Sequence, residues 1–123
     1  MPSKLFWEEK GAYIKWSGIV TSDENIRVNG EIYGCKIFDT IKYLISDILD
    51  AQLPDFTDLD LRIIAKLDEQ ASKWNPYLKI AHISNNPEFV QLIKSYENKM
   101  DDSGWTFMVF NNLEDARKWV NSE

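Results

Sequence analysis

Short apolar runs alternate with amphipathic stretches along nearly the whole chain, and this alternation limits the folds open to it. Each amphipathic stretch begins at a residue that caps helices well, namely Thr21, Thr57, Asn86 or Asn112. The apolar runs have the length of strands and lie at residues 5–9, 13–18, 41–49, 78–84 and 105–110. The resulting order, β-β-α-β-α-β-α-β-α, predicts an α/β fold. Its mostly parallel central sheet has about five strands with about four helices, and the first strand is an antiparallel edge.

Length and charge restrict the class of protein further. A chain of 123 residues with 44% hydrophobic residues is expected to form one domain over residues 1–123, with a core that needs no metal or disulfide. Cys35 is its only cysteine. The net charge of −6 and the scattered basic residues argue against a nucleic-acid partner. We find no apolar run long enough for a membrane span and no signal-peptide core at the start, and therefore expect a cytoplasmic protein.

Motifs that carry catalysis are missing from the sequence. It contains no glycine-rich phosphate loop, no Gly-x-Ser-x-Gly elbow and no paired cysteines or histidines with metal-ligand spacing. His82 is the only histidine, and we interpret it as a hydrogen-bonded structural residue. The sequence therefore predicts a protein that is not an enzyme and uses no cofactor.

Several phrases resemble a known family over nearly the whole chain. They are Phe-Trp-Glu-Glu-Lys-Gly at 6–11, Tyr-Ile-Lys-Trp-Ser-Gly at 13–18, Ser-Lys-Trp-Asn-Pro at 72–76 and the closing helix at 112–119. Together with the element order, they resemble the STAS superfamily (sulphate transporter and anti-sigma factor antagonist), in particular its stand-alone SpoIIAA-like branch. The resemblance implies a STAS-like α/β sandwich.

One functional feature of that family is missing. Its regulatory members carry a phosphorylatable serine in an Asp-Ser-Ser/Thr-Gly turn, where the helix after the third strand begins. Here residues 47–57 read Asp-Ile-Leu-Asp-Ala-Gln-Leu-Pro-Asp-Phe-Thr, without a serine or glycine. Thr57 stands at the helix start, and we expect it to be the N-cap.

Five aspartates between residues 47 and 60 form the most acidic stretch of the chain. Carboxylates bind Mg²⁺ well, which makes Asp55, Asp58 and Asp60 weak candidates for metal ligands. The stretch lacks the glycine and the final glutamate of an EF-hand loop. A solvated loop followed by acids that favour a helix N-terminus explains the same pattern.

The same stretch carries apolar side chains, which a loop must bury or use. Leu53, Phe56 and Leu59 are expected either to cover the sheet edge or to form a lid over a cavity or partner surface. Leu67 and Trp74 recur at helical spacing in the next helix and are expected to face inward beside the loop. With Thr57, these five residues are the candidate ligand-binding or partner-binding residues.

Three functions remain open at this point. The first is recognition of a protein partner or small ligand by a non-catalytic domain. The second is carriage of an apolar or lipid-like ligand with transient membrane contact, because the SpoIIAA-like branch also resembles SEC14-type domains. The third is a metal-dependent enzyme that uses the acidic loop. The sequence names neither the ligand nor the partner, and it leaves open whether the chain forms a homo-oligomer.

Overall fold

The computed structural model describes residues 3–122, and its elements follow the predicted order. The elements are β1 (Ser3–Trp7), β2 (Gly11–Gly18), α1 (Ser22–Tyr33), a short 3₁₀ helix (Lys36–Thr40), β3 (Tyr43–Ala51), α2 (Asp58–Ala71), β4 (Lys79–Ile83), α3 (Pro87–Asn98), β5 (Thr106–Phe110) and α4 (Leu113–Val120). The predicted α/β class is confirmed. The 3₁₀ helix was not predicted from the sequence.

The strands lie in the sheet in the same order as in the sequence, β1-β2-β3-β4-β5. β1 is antiparallel to β2, and the other neighbours are parallel. The antiparallel first strand is therefore confirmed. Because β2 to β5 run in one direction, their carboxyl ends lie at one edge of the sheet, where the loop before α2 also begins.

Helices cover both faces of the sheet, with three on one side. The larger core joins the sheet to α1, α2 and α3 through Ile14, Leu44, Ile80, Val28, Ile32, Ala65, Phe89 and Ile93, among others. On the opposite face, α4 packs Ala116 and Val120 against Ile45, Ala81 and Ile83. The alternation of side chains along each strand therefore divides the core between two helical layers.

Side-chain caps fix where the four helices begin. The Thr21 Oγ1 accepts a hydrogen bond from the Glu24 amide at 3.1 Å. The Glu24 carboxylate instead accepts from Arg27 on the surface of α1. Asn86 and Asn112 cap α3 and α4 in the same way. Each such cap contributes about 1 kcal/mol to stability.

The inner face of α2 differs from the prediction. Its buried residues are Leu61, Ile64, Ala65, Asp68 and Ala71. Leu67 is instead 43% exposed and Trp74 is 74% exposed, so the expectation that these two face inward is wrong. The helix ends at Ala71, and helical spacing therefore does not extend to Trp74. The inward position next to Leu67 belongs to Asp68.

The turn that follows α2 is held by buried polar groups. The Nδ2 of Asn75 donates to the carbonyls of Phe38 and Ile41 at 2.8 Å and 2.9 Å. The indole Nε1 of Trp105 donates to the Asn75 carbonyl at 2.7 Å. These bonds fix the start of β4 beneath the helical layer. Among residues 3–122, no helix is both long enough and apolar enough to cross a membrane.

Candidate functional site

A cavity of about 120 Å³ lies between the sheet and the layer formed by α1, α2 and α3. We call it the central cavity. Its sheet side is lined by Ile14, Leu44, Ile48 and Ile80, and aromatic side chains add Trp16, Phe56, Phe89 and Trp105. An engineered cavity of about 150 Å³ in another protein takes up benzene. The central cavity is therefore of the size that holds one small ring.

A carboxylate with two tyrosine hydroxyls forms the polar part of the cavity wall. Tyr33 of α1 donates to Asp68 Oδ1 at 2.6 Å, and Tyr96 of α3 donates to Asp68 Oδ2 at 2.6 Å. Asp68 is only 4% exposed, and no lysine or arginine of residues 3–122 forms a salt bridge with it. Three helices thus meet at one buried carboxylate that has hydroxyl partners and no cation.

Burial sets the ionisation of these three groups. It raises the pKa of Asp68 to about 6, against the two tyrosine hydrogen bonds, which act to lower it. Burial and the neighbouring Asp68 carboxylate raise the pKa of both Tyr33 and Tyr96 well above the usual value. Near neutral pH, Asp68 is therefore largely ionised and both tyrosines remain hydroxyl donors.

His82 of β4 lies on the same cavity wall. Its ring stacks on Phe107 at 6.3 Å and meets Tyr96 edge-on, also at 6.3 Å between centroids. Its Nδ1 is buried and has no hydrogen-bond partner among residues 3–122, which differs from the expectation of a hydrogen-bonded structural histidine. Burial lowers the pKa of His82 to about 4. The imidazole is therefore neutral near pH 7.

A shallow groove between α1 and α2 reaches the cavity from outside. Asn25, Asn29, Tyr33, Ile64 and Asp68 line both the groove and the cavity. The two asparagines are joined by a hydrogen bond from Asn29 Nδ2 to Asn25 Oδ1 at 3.1 Å. Further out, the groove is bordered by Ile26, Gly30 and Leu67. The two spaces share five lining residues, so the groove leads from the surface between α1 and α2 to the cavity.

The loop between β3 and α2 contributes one of its predicted residues to the cavity. Phe56 is half-buried and lines the cavity together with the buried Pro54. Leu53 and Leu59 are exposed, Leu59 by 64%, and neither lines the cavity. The structure therefore brings Phe56 to the cavity and leaves Leu53, Leu59, Leu67 and Trp74 outside it.

Thr57 forms the cap that was predicted for it. Its Oγ1 accepts from the Asp60 amide at 3.0 Å, and the Asp60 carboxylate accepts from the Thr57 amide at 2.9 Å. Asp58 pairs with Arg62 at 2.7 Å and with Lys99 at 3.1 Å, while Asp55 is exposed. Across the described part of the chain, no three carboxylate, histidine or cysteine side chains are placed to hold a metal ion together.

Large apolar side chains remain exposed along one face of α2. Leu59, Ile63 and Leu67 are spaced by four residues and all are exposed, so they form a continuous strip on the helix surface. We call these three residues the α2 stripe. Trp74 lies just beyond it and shares a second shallow groove with Leu67 and Cys35.

Comparison with solved structures identifies the fold. The chain is similar to an anti-sigma factor antagonist from Mycobacterium paratuberculosis, with a TM-score of 0.61 and 14% identity, over 98% of this chain and 93% of that one. It is also similar to an uncharacterized protein with a SpoIIAA-like fold from Shewanella loihica, with a TM-score of 0.59 and 13% identity, over 96% and 91%. The chain has the SpoIIAA-like fold. No family model and no curated protein matches it.

The SpoIIAA-like fold confirms the fold that the sequence resemblance implied. The sequence did not predict the central cavity. Tyr33, Asp68 and Tyr96 were not singled out from the sequence. One feature of the sequence could have revealed the buried carboxylate. Asp68 lies on the same inward face of α2 as Leu61, Ile64 and Ala71. A charged residue in an otherwise apolar helix register indicates a buried polar site.

Proposed function

We propose that this chain is a non-catalytic binding domain that recognises a protein partner through the α2 stripe. The observation that carries the proposal is the exposure of Leu59, Ile63 and Leu67 on one helix face. Contiguous apolar patches rimmed by polar residues are typical of interaction sites. Arg62 and Lys66, which are exposed between the stripe residues, supply such a rim.

The SpoIIAA-like fold supports a regulatory role of this kind. The similar protein from Mycobacterium paratuberculosis is described as an anti-sigma factor antagonist, a function exerted on another protein. In this chain the start of α2 carries Thr57, whose hydroxyl is engaged with the Asp60 amide. The proposed recognition therefore relies on apolar contact and needs no phosphorylated side chain at the helix start.

The test compares proteins that co-purify with the full chain from its own host. The test variant is Leu67→Asp, and the matched control is Ile19→Asp, because Ile19 is also exposed, at 69%, outside α2. We expect a specific partner to be retained by the wild type and the control and lost with the test variant. With that partner purified, Leu67→Asp should weaken binding at least tenfold, about 1.4 kcal/mol. Equal binding by all three proteins would refute the role of the α2 stripe.

A second candidate function is carriage of a small apolar ligand, which the central cavity favours. Sites for drug-sized ligands have volumes of about 300–1,000 Å³, whereas this cavity has about 120 Å³. A complete lipid chain therefore does not fit this conformation, and lipid carriage with membrane contact needs the loop around Phe56 to open. The test is uptake of a short-chain fluorescent lipid from neutral vesicles. Uptake by the wild type that is lost in Phe56→Ser supports carriage, and no uptake by either refutes it.

The metal-dependent enzyme hypothesis gains no support from the placement of its residues. The Asp58 carboxylate forms salt bridges with Arg62 and Lys99. The Asp60 carboxylate accepts a hydrogen bond from the Thr57 amide in the helix cap. We do not propose it as a function.

A further inference from the structure

We propose that the central cavity is a binding site for a small organic ammonium ion, about the size of one aromatic ring with a short aminoalkyl arm, with the Asp68 carboxylate as counter-ion. This inference goes beyond partner recognition and concerns a different part of the molecule. It rests on the charge of the cavity, on its free hydrogen-bond acceptors and on its aromatic walls.

The charge of the cavity selects a cation. Asp68 lies on the wall, and none of the described lining residues is a lysine or an arginine. A carboxylate held away from water without a cation is costly, and a cation placed beside it removes much of that cost. An anionic ligand would add a second buried negative charge. The cavity therefore favours ammonium ions over carboxylates, sulfate or phosphate.

Hydrogen-bond acceptors remain for the ammonium protons. Each Asp68 oxygen accepts one tyrosine hydroxyl, and a carboxylate oxygen can accept a second donor. The Nδ1 of His82 is buried without a partner in the described residues and accepts when the ring proton is on Nε2. Because burial lowers the pKa of His82, its ring is neutral and does not compete as a cation.

Aromatic rings provide the rest of the environment. Trp16, Phe56, Phe89, Tyr96 and Trp105 all line the cavity, and the faces of such rings attract ammonium ions. The cavity volume of about 120 Å³ limits the ligand to about one ring. The groove between α1 and α2 gives the route in, because Asn25 and Asn29 border both spaces and Gly30 leaves open space beside it.

The experiment compares three probes of the same ring size, namely benzylamine, benzyl alcohol and benzoate. Binding to the full-length protein is measured by calorimetry and by NMR shifts of the indole N–H groups at about pH 7.5. We expect benzylamine to bind one site at least tenfold more tightly than benzyl alcohol, with shifts at Trp16 and Trp105, and benzoate to bind more weakly still. Equal binding of all three probes, a preference for benzoate or no binding would overturn the proposal.

The Asp68→Asn variant tests the counter-ion directly. It should lose the preference for benzylamine over benzyl alcohol, whereas Asp101→Asn, which removes an exposed carboxylate, should keep it. A preference that survives in Asp68→Asn would overturn the assignment. Because Ile63 lies outside the cavity wall, Ile63→Asp should leave benzylamine binding unchanged. The outcome is therefore independent of partner recognition.

A pH series on the wild type needs no variant and covers the case in which Asp68→Asn does not fold. The titratable groups that face Asp68 or share its cavity are Tyr33 on α1, Tyr96 on α3 and His82 on β4. Protonation of Asp68 removes the counter-ion, so benzylamine affinity should fall several-fold between about pH 7.5 and about pH 5. Benzyl alcohol binding should change little. A benzylamine affinity that stays constant over this range would contradict the proposal.

Discussion

Arg117 of α4 donates two hydrogen bonds to the carboxylate of Glu8, at 2.9 Å and 2.8 Å, across 109 positions of sequence. Glu8 also accepts a bond from the Tyr43 hydroxyl at 2.6 Å. These bonds lower the pKa of Glu8 despite its partial burial, with the Arg117 hydrogen bonds as the largest cause. The β1–β2 turn is thereby joined to the last helix.

Removing that ion pair should destabilise the protein. We expect Arg117→Met to lower the free energy of unfolding by about 1–2 kcal/mol. A partly buried ion pair with two parallel hydrogen bonds stabilises the folded state more than an exposed pair does. The matched control is Lys118→Met, whose partner Glu114 lies at 3.6 Å with both side chains exposed; it should cost at most about 0.5 kcal/mol. Urea denaturation near pH 7 measures both. Equal losses in the two variants would show that the pair has no special role.

Asp68 and His82 should give the protein two opposing pH dependences. The folded-state pKa of Asp68 is raised to about 6, so the folded state holds this proton more tightly and unfolding free energy falls as pH rises from about 4 to about 6. The stabilisation that Asp68 supplies at about pH 4 and loses by about pH 6 is on the order of 3 kcal/mol. The pKa of His82 is lowered to about 4, so its contribution to the unfolding free energy rises with pH between about 4 and 6.5. Because the His82 residue is only half-buried, we expect its contribution to be the smaller of the two.

Single variants separate the contributions of Asp68 and His82. In Asp68→Asn, the unfolding free energy should rise with pH over this range, and in His82→Gln it should fall more steeply than in the wild type. Denaturation curves at about pH 4.5, 5.5 and 6.5 provide the measurement. If the pH dependence of Asp68→Asn equals that of the wild type, the carboxyl group has an ordinary pKa in the folded state.

The loop between β3 and α2 should open more readily than the strand before it. Residues 53–56 lie outside the β-ladder, so their amides should exchange with solvent faster than those of Tyr43–Ala51. The Gln52 amide should stay protected, because it donates to the Gly18 carbonyl at 2.8 Å. Hydrogen exchange followed by NMR resolves each amide. Slow exchange at 53–56, with a large loss of stability in Phe56→Ser, would make the loop a fixed cover of the core.

The cap at Thr57 gives a prediction about helix stability. Thr57→Ala should lower the free energy of unfolding by about 1 kcal/mol, whereas Thr57→Asp should preserve it, because aspartate also caps well. Both values come from thermal or urea unfolding. Thr57 has a role beyond the cap if Thr57→Asp lowers the free energy of unfolding as much as Thr57→Ala does. The same conclusion follows if a phosphate on Thr57 turns binding of a partner on or off.

The order of elements followed from local signals that act within a few residues. The caps at Thr21, Thr57, Asn86 and Asn112 and the apolar runs between them are such signals, and each predicted cap forms. The family resemblance rested on turns and core positions of the same kind. These features predicted the fold.

The central cavity depends on contacts that local signals do not contain. Asp68 is buried because Tyr33 and Tyr96 donate to it from helices 35 and 28 positions away. Periodicity assigns the inward position to the apolar neighbour Leu67, because it gives no weight to a hydrogen bond from another helix. Helical spacing also predicted that Trp74 is buried. Because α2 ends at Ala71, Trp74 lies beyond the helix and is exposed instead.

The sequential order of strands in the sheet has a consequence for folding during synthesis. Each parallel strand that emerges can join the edge formed by the strand before it, so no strand has to insert between two others. The cavity is assembled later, since its wall includes Tyr96 and Trp105. Until α3 has been synthesised and has docked, the Asp68 carboxylate lacks one of its two hydroxyl partners, and α2 therefore gains its full packing only late in synthesis.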